Sequence, residues 1–137
     1  MHDLLSLLEK RVLICDGAMG TMLYTKGIFF SRCFDELNIS NPQLVREVHA
    51  DYVAAGADIL ETNTFGANRT KLMTHGLAEQ TREINLQGVR IAREVAGPDV
   101  FVAGAIGPLG ARLAPAGTIT AEWDPDTCDL RVCSVTP

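Results

Sequence analysis

The chain has 137 residues, enough for one ordinary domain, and its 47% hydrophobic content is normal for a globular protein. A formal net charge of -5 argues against nucleic acid or an anionic membrane as a partner. No apolar run approaches the ~20 residues that a membrane-spanning helix needs, and nothing resembles a signal peptide, so a cytoplasmic location is expected. Four cysteines without a secretory signal favour reduced thiols over disulfides. The expected partner is a small molecule.

The first part of the chain predicts a short helix, a strand and a polar loop. Leucines in residues 4–10 indicate an amphipathic helix, and the apolar residues 12–15 are typical of a strand buried on both faces. The strand ends in Asp16-Gly17-Ala18-Met19-Gly20-Thr21, where the glycines let the backbone approach a ligand closely. Asp16 would repel a phosphate but suits an ammonium group. Alternatively, Asp16 only caps the following turn.

A second helix and strand follow. Residues 22–39 are expected to be irregular, whereas Pro42 and apolar residues at helical spacing predict a helix that ends at Gly56. His49 lies beside the apolar stripe of this helix and is expected to pack, or to form a surface hydrogen bond, rather than to catalyse. Residues 59–60 predict the second strand.

Polar side chains leave the end of that second strand. Glu61 and Asn63 come directly after the strand, at the carboxyl end where parallel α/β folds bind ligands. Burying Glu61 there would be costly without a cation or a hydrogen-bond donor. The alternative is a salt bridge from Glu61 to Arg69 or Lys71.

The third unit completes the predicted topology. Residues 77–96 predict a long helix ended by Gly97, and residues 100–106 predict a third buried strand. The glycine spacing after this strand differs from the dinucleotide fingerprint, which argues against a nicotinamide or flavin site. The alternation of strand and helix predicts an α/β protein with a parallel sheet.

Three separated motifs resemble the homocysteine S-methyltransferase family. They are Asp16-Gly17-Ala18-Met19-Gly20-Thr21, the stretch from Ala55 to Phe65, and Ala103-Gly104-Ala105-Ile106-Gly107-Pro108-Leu109-Gly110. The resemblance covers about residues 4 to 120. It implies a partial (β/α)8 TIM barrel, with the first three parallel strands and their helices, in an enzyme that methylates the homocysteine thiol to form methionine.

The resemblance also implies the roles of individual residues. Asp16 would face the substrate ammonium, and backbone amides near the following turn would take the substrate carboxylate. The implied substrate-binding residues are Asp16, Gly17, Ala18, Met19, Glu61 and Asn63. Family members hold Zn²⁺ on cysteine thiolates near later strands and use a methyl donor such as methyltetrahydrofolate through cobalamin. No metal ligand and no catalytic residue is predicted within this chain.

The end of the chain departs from the family pattern. We expect residues 1–122 to form the N-terminal portion of the homocysteine-binding barrel and residues 123–137 to form an irregular tail without family likeness. Thr120 would begin a helix in the family, but Pro125 would disrupt it. The chain is therefore expected to be truncated and to have no methyltransferase turnover by itself.

Two other functions stay open at this point. One is a different barrel enzyme that uses Asp16 and Glu61 as Mg²⁺ or Mn²⁺ ligands or as acid and base. The other is a non-catalytic residual fragment or a small amino-acid-binding module.

Overall fold

A computed structural model describes residues 3–29, 31–117, 119–124 and 129–134. None of the helices in these ranges is long and apolar enough to cross a membrane. In chain order the elements are α1 (Leu4–Leu8), α2 (Met19–Thr25), α3 (Leu37–Ser40), α4 (Pro42–Ala54), β1 (Ile59–Glu61), α5 (Arg69–Met73), a 3₁₀ helix (Ala78–Gln80), α6 (Thr81–Ala96), β2 (Phe101–Ala103), β3 (Ile119–Asp124) and β4 (Asp129–Ser134).

A parallel pair of strands forms the centre of the fold. β1 and β2 pair in parallel, with Leu60 opposite Val102. The predicted first strand is reduced to one parallel bridge between Cys15 and Ile59, supported by a 2.9 Å hydrogen bond from the Asp16 N–H to the Ile59 carbonyl. The α/β class with a parallel sheet is thus confirmed, while its closure into a barrel stays a prediction.

An ion pair ties residues 11–16, called the first segment here, to β1. The Arg11 guanidinium contacts the Asp58 carboxylate at 2.6 and 2.9 Å, and the Ile14 N–H donates to the same carboxylate at 2.9 Å. The hydrogen bond from Arg11 lowers the pKa of Asp58 to about 2, so this carboxylate is charged at neutral pH. The segment that carries Asp16 is held beside β1 as a result.

Helix α4 forms where the sequence predicts it. The Asn41 side chain accepts a hydrogen bond from the Leu44 N–H at 3.4 Å, Pro42 occupies the first turn, and Gly56 adopts a positive φ of 97° just past the end. His49 is fully buried in this helix, which confirms that it packs. The main core cluster lies between α2, α3, α4 and α6 and contains Leu23, Leu37, Val45, Val48 and Ile91.

Two predicted strands are less buried than their composition indicates. Val12 is 85% exposed, Ile14 61% and Ile106 93%, so the prediction of strands buried on both faces is wrong. Cys15 is also exposed. Apolar composition predicts which residues can be buried, but only neighbouring elements can cover them, and no described element covers these side chains.

Two segments expected to be irregular carry regular structure. The predicted irregular stretch 22–39 contains the end of α2 and most of α3. The predicted irregular tail, residues 123–137, contains the end of β3 and all of β4, and these two strands form an antiparallel hairpin with Thr120 opposite Cys133. Residues 119–123 alternate apolar and polar types, a pattern of period two that favours a strand once a partner strand lies close in sequence.

Candidate functional site

A cavity of about 450 Å³ opens at the carboxyl ends of the first segment and β1. This is the edge of a parallel sheet at which α/β proteins bind ligands. The structure brings all the sequence-predicted site residues to this cavity, namely Asp16, Gly17, Ala18, Met19, Glu61 and Asn63.

Asp16 lies half-buried between the two strand ends. Its Oδ1 accepts a hydrogen bond from the Glu61 N–H at 3.1 Å. Burial raises the pKa of the Asp16 carboxyl, the Glu61 hydrogen bond opposes this, and the nearby Glu61 carboxylate raises the pKa further. Asp16 does not cap α2, because Ala18 occupies the N-cap position of that helix and no side-chain hydrogen bond caps it. The carboxylate is therefore held across the sheet and faces the cavity.

Glu61 is exposed at the end of β1. The salt bridges considered for it from the sequence do not form. Arg69 pairs with Glu79 at 2.6 Å, and the Lys71 ammonium lies 5.2 Å from the centre of the Phe65 ring. Within the described ranges Glu61 has no ion pair, so its carboxylate is available to a cationic ligand.

The turn after Asp16 is pressed against α4. A Cβ atom added to Gly17 would lie 2.8 Å from the Tyr52 hydroxyl, so a larger residue would displace that ring. The same hydroxyl donates a hydrogen bond to the Ala18 carbonyl at 3.3 Å. Glycine at position 17 thus permits the close approach that fixes the turn at the cavity rim.

The Asn63 side chain is held in place by hydrogen bonds within the protein. Its Nδ2 donates to the Phe34 carbonyl at 2.9 Å and to the Asn38 Oδ1 at 3.0 Å. Asn38 in turn donates to the carbonyls of Asn63 at 2.7 Å and Ile84 at 3.1 Å. Because both N–H groups of Asn63 are used within the protein, only its Oδ1 can turn toward a ligand. The buried amide pair joins α3, α6 and the loop after β1.

The cavity also includes residues that the sequence did not single out. Asp35 accepts a hydrogen bond from the Gly66 N–H at 2.9 Å, and burial raises the pKa of its carboxyl. Arg32 and Phe65 also line the cavity. Asp35 and Arg32 come from the segment before α3, which has no strand or motif to place it. Only the packing of that segment on the loop after β1 brings them to the site.

The structure offers no metal site among its described residues. No group of three or more His, Cys, Asp or Glu side chains in these ranges is arranged to hold a metal ion. Partial desolvation raises the pKa of the Cys15 and Cys33 thiols, so each favours its protonated form. The donor set around the cavity suits an organic cation better than zinc.

Comparison with known sequences decides the family. The sequence model of the family described as "Homocysteine S-methyltransferase" matches residues 13–131. The chain belongs to this family. The match begins inside the predicted first strand and extends past the boundary predicted at residue 122, into β4.

Two curated mycobacterial proteins are similar to the chain. Methionine synthase from Mycobacterium tuberculosis is 38% identical over 127 residues, which covers 84% of this chain and 11% of that protein. Methionine synthase from Mycobacterium leprae is also 38% identical over 127 residues and is covered to 10% of its length. The chain therefore spans about a tenth of the length of these relatives.

Solved structures of the family also align with the chain. The oxidized form of the homocysteine methyltransferase MmuM from Escherichia coli superposes with a TM-score of 0.69 at 33% identity, covering 78% of this chain and 41% of that one. The metallated form gives a TM-score of 0.67 at 31% identity, with 77% and 41% coverage. The described fold thus corresponds to less than half of that enzyme.

Proposed function

We propose that this chain binds the amino-acid end of homocysteine, as the N-terminal part of a zinc-dependent enzyme that transfers a methyl group to the homocysteine thiol and forms methionine. One observation carries this proposal: the acidic side chains Asp16 and Glu61 and the turn at residues 17–19 line one cavity in a chain of this family.

The proposed roles follow from charge and reach. The Asp16 carboxylate, fixed by the Glu61 N–H, and the Glu61 carboxylate, which has no ion-pair partner in the described ranges, attract the substrate ammonium. Backbone amides of Gly17, Ala18 and Met19 face the substrate carboxylate. Holding homocysteine by both its ammonium and its carboxylate directs the sulfur away from Asp16, Glu61 and the turn at residues 17–19. Methyl transfer requires the sulfur, the methyl carbon and the leaving group to be in line, so this orientation lowers the barrier.

The remaining parts of the proposal concern the whole enzyme. The two parallel strands and the bridged segment would be the first three strands of a (β/α)8 barrel, supported by the alignment with 41% of MmuM. When bound, zinc would keep the homocysteine sulfur deprotonated as a thiolate nucleophile, but none of the described residues is assigned as its ligand. The methionine synthase relatives support a methyl donor such as methyltetrahydrofolate acting through cobalamin. A cytoplasmic location remains part of this proposal.

Calorimetric titration with homocysteine tests the binding role. The full 137-residue chain should bind L-homocysteine, and Asp16→Ala should weaken binding at least about tenfold, because a hydrogen bond to a charged group contributes about 1.5–3 kcal/mol. Asp51→Ala is the matched control, since Asp51 is an exposed aspartate of α4 that pairs with Lys26 and does not line the cavity. Equal affinities of the wild-type and Asp16→Ala chains would contradict the proposal.

A non-catalytic amino-acid-binding module is the second candidate. It is favoured by the fact that residues of this chain alone line an open cavity of about 450 Å³. Both candidates predict that the 137-residue chain binds homocysteine without turnover, so methionine formation is measured on a fusion of this chain to the remaining part of a family enzyme such as MmuM, with zinc and a methyl donor present. Turnover by the fusion supports the enzyme, whereas homocysteine binding without turnover by the fusion supports the module.

A further inference from the structure

The cavity has an unbalanced set of charges. Three of its described lining residues are carboxylic acids, Asp16, Asp35 and Glu61. Arg32 is the one arginine or lysine among the described lining residues, which also include His75. An ammonium group is favoured in such a cavity, but an anionic group that enters with it needs a positive partner.

Arg32 is anchored in a way that leaves part of its guanidinium free. Its Nε and Nη2 donate to the Glu36 carboxylate at 3.3 and 3.2 Å, and Nη2 also donates to the Ser40 hydroxyl at 3.1 Å. Nη1 makes no hydrogen bond to any described residue. The side chain remains 48% exposed, so a ligand can reach it.

We propose that Arg32 joins the backbone amides of residues 17–19 in holding the carboxylate of the bound amino acid, through Nη1, so that the cavity selects zwitterionic amino-acid thiols over simple aminothiols. This inference rests on the proposed function, which places the ammonium at Asp16. The free Nη1 of a charged guanidinium can donate a charge-assisted hydrogen bond to a carboxylate oxygen. Glu36 and Ser40 fix two of its nitrogens, which reduces the conformational entropy lost when the ligand binds.

Arg32 differs from the backbone amides of residues 17–19 as a carboxylate partner. The amides belong to a turn whose position is set by Tyr52, whereas Arg32 comes from the separate segment before α3. If the amides alone bound the carboxylate, removing the charge at position 32 would leave affinity unchanged. The two arrangements therefore predict different results for one substitution.

The test compares two ligands on the full chain. L-homocysteine carries both groups, and 3-aminopropane-1-thiol keeps the amine and the thiol but lacks the carboxylate. Arg32→Met, which removes the charge and keeps most of the side-chain length, should weaken L-homocysteine binding about ten- to a hundredfold and leave 3-aminopropane-1-thiol binding unchanged. Arg46→Met is the matched control, because Arg46 also pairs with a glutamate, Glu94, and does not line the cavity.

The outcomes separate this inference from the function on which it rests. If the wild-type chain binds neither ligand, both fail. If it binds L-homocysteine and Arg32→Met binds it equally well, only the role of Arg32 is overturned. Circular dichroism confirms that each variant is folded, and Arg32→Lys provides a second variant. It keeps the charge but loses the position in which Glu36 and Ser40 hold the guanidinium, so it should fall between wild type and Arg32→Met for L-homocysteine alone.

Discussion

His49 combines complete burial with a lack of hydrogen bonds, and this makes its effect on stability calculable. The side chain is 0% exposed, and neither ring nitrogen has a hydrogen-bond partner among the described residues. Burial lowers the pKa of His49 from 6.5 to about 4. The folded chain therefore keeps this imidazole neutral under conditions in which the unfolded chain protonates it.

The sign and size of the effect follow from proton linkage. Between pH 6.5 and pH 4 the unfolded state binds a proton that the folded state does not, so the free energy of unfolding falls as the pH falls. Each tenfold difference in proton affinity between the two states corresponds to about 1.4 kcal/mol. The loss attributable to His49 is therefore about 2 kcal/mol at about pH 5 and approaches about 3 kcal/mol below about pH 4. Above pH 6.5 this loss is nearly absent.

Replacing His49 with leucine should remove this pH dependence. The assay is urea unfolding of wild-type and His49→Leu chains at several pH values from about 7 to about 5, followed by circular dichroism. The stability gained by the variant should grow by about 2 kcal/mol over this range, and other titrating groups cancel in the comparison. It should also be positive at neutral pH, because leucine has no buried polar atom to leave unpaired.

An exposed histidine provides the control. His75 lies at the surface, and His75→Leu controls for the exchange of a histidine for a leucine at an exposed position. If the free energies of unfolding of wild-type and His49→Leu chains change in parallel across the same pH range, the imidazole is hydrated or paired, and the reasoning from its burial is refuted.

Three further predictions concern the cavity and its support. Burial raises the pKa of Asp16, so the affinity for homocysteine should begin to fall at a higher pH than it would with an aspartate of ordinary pKa. Calorimetry on Asp16→Asn should show weak binding that lacks this pH-dependent fall. Gly88→Ala should destabilise the chain by about 1–3 kcal/mol in urea unfolding, because its Cβ would lie 2.7 Å from both the Asn38 amide and the Thr64 methyl; an unchanged midpoint would contradict that packing. Asn38→Leu should cost about 3 kcal/mol or more by the same measurement, since it leaves the Asn63 amide and two carbonyls unpaired, and a smaller loss would indicate that water replaces them.

Local patterns predicted the elements that depend on neighbours in sequence. Asn41, Pro42 and Gly56 mark the ends of α4, and both capping and backbone conformation act within a few residues, so the prediction was accurate. Burial of the first strand was predicted wrongly. Its apolar residues would be covered only by elements far away in sequence, and composition cannot supply those.

The candidate site likewise contains residues that the sequence predicted and residues that only the fold revealed. Asp16, Glu61 and Asn63 could be named in advance because each follows a strand, and parallel strands present their carboxyl ends at one edge. Arg32 and Asp35 could not be named, because they belong to a segment with neither strand nor motif. Likewise, no pattern shows that the Asn63 amide is used by Asn38, since that hydrogen bond joins residues 25 positions apart.

The order of amino acids was enough to assign the family, the parallel α/β class and the strand ends that line the cavity, because each depends on short motifs and on the period of the apolar residues. The tertiary structure alone decided which charges share the cavity, which amides are already paired and which histidine is buried without a hydrogen-bond partner among the described residues. Those properties depend on distances between segments that are remote in sequence, and such distances are set by the packing of the whole chain.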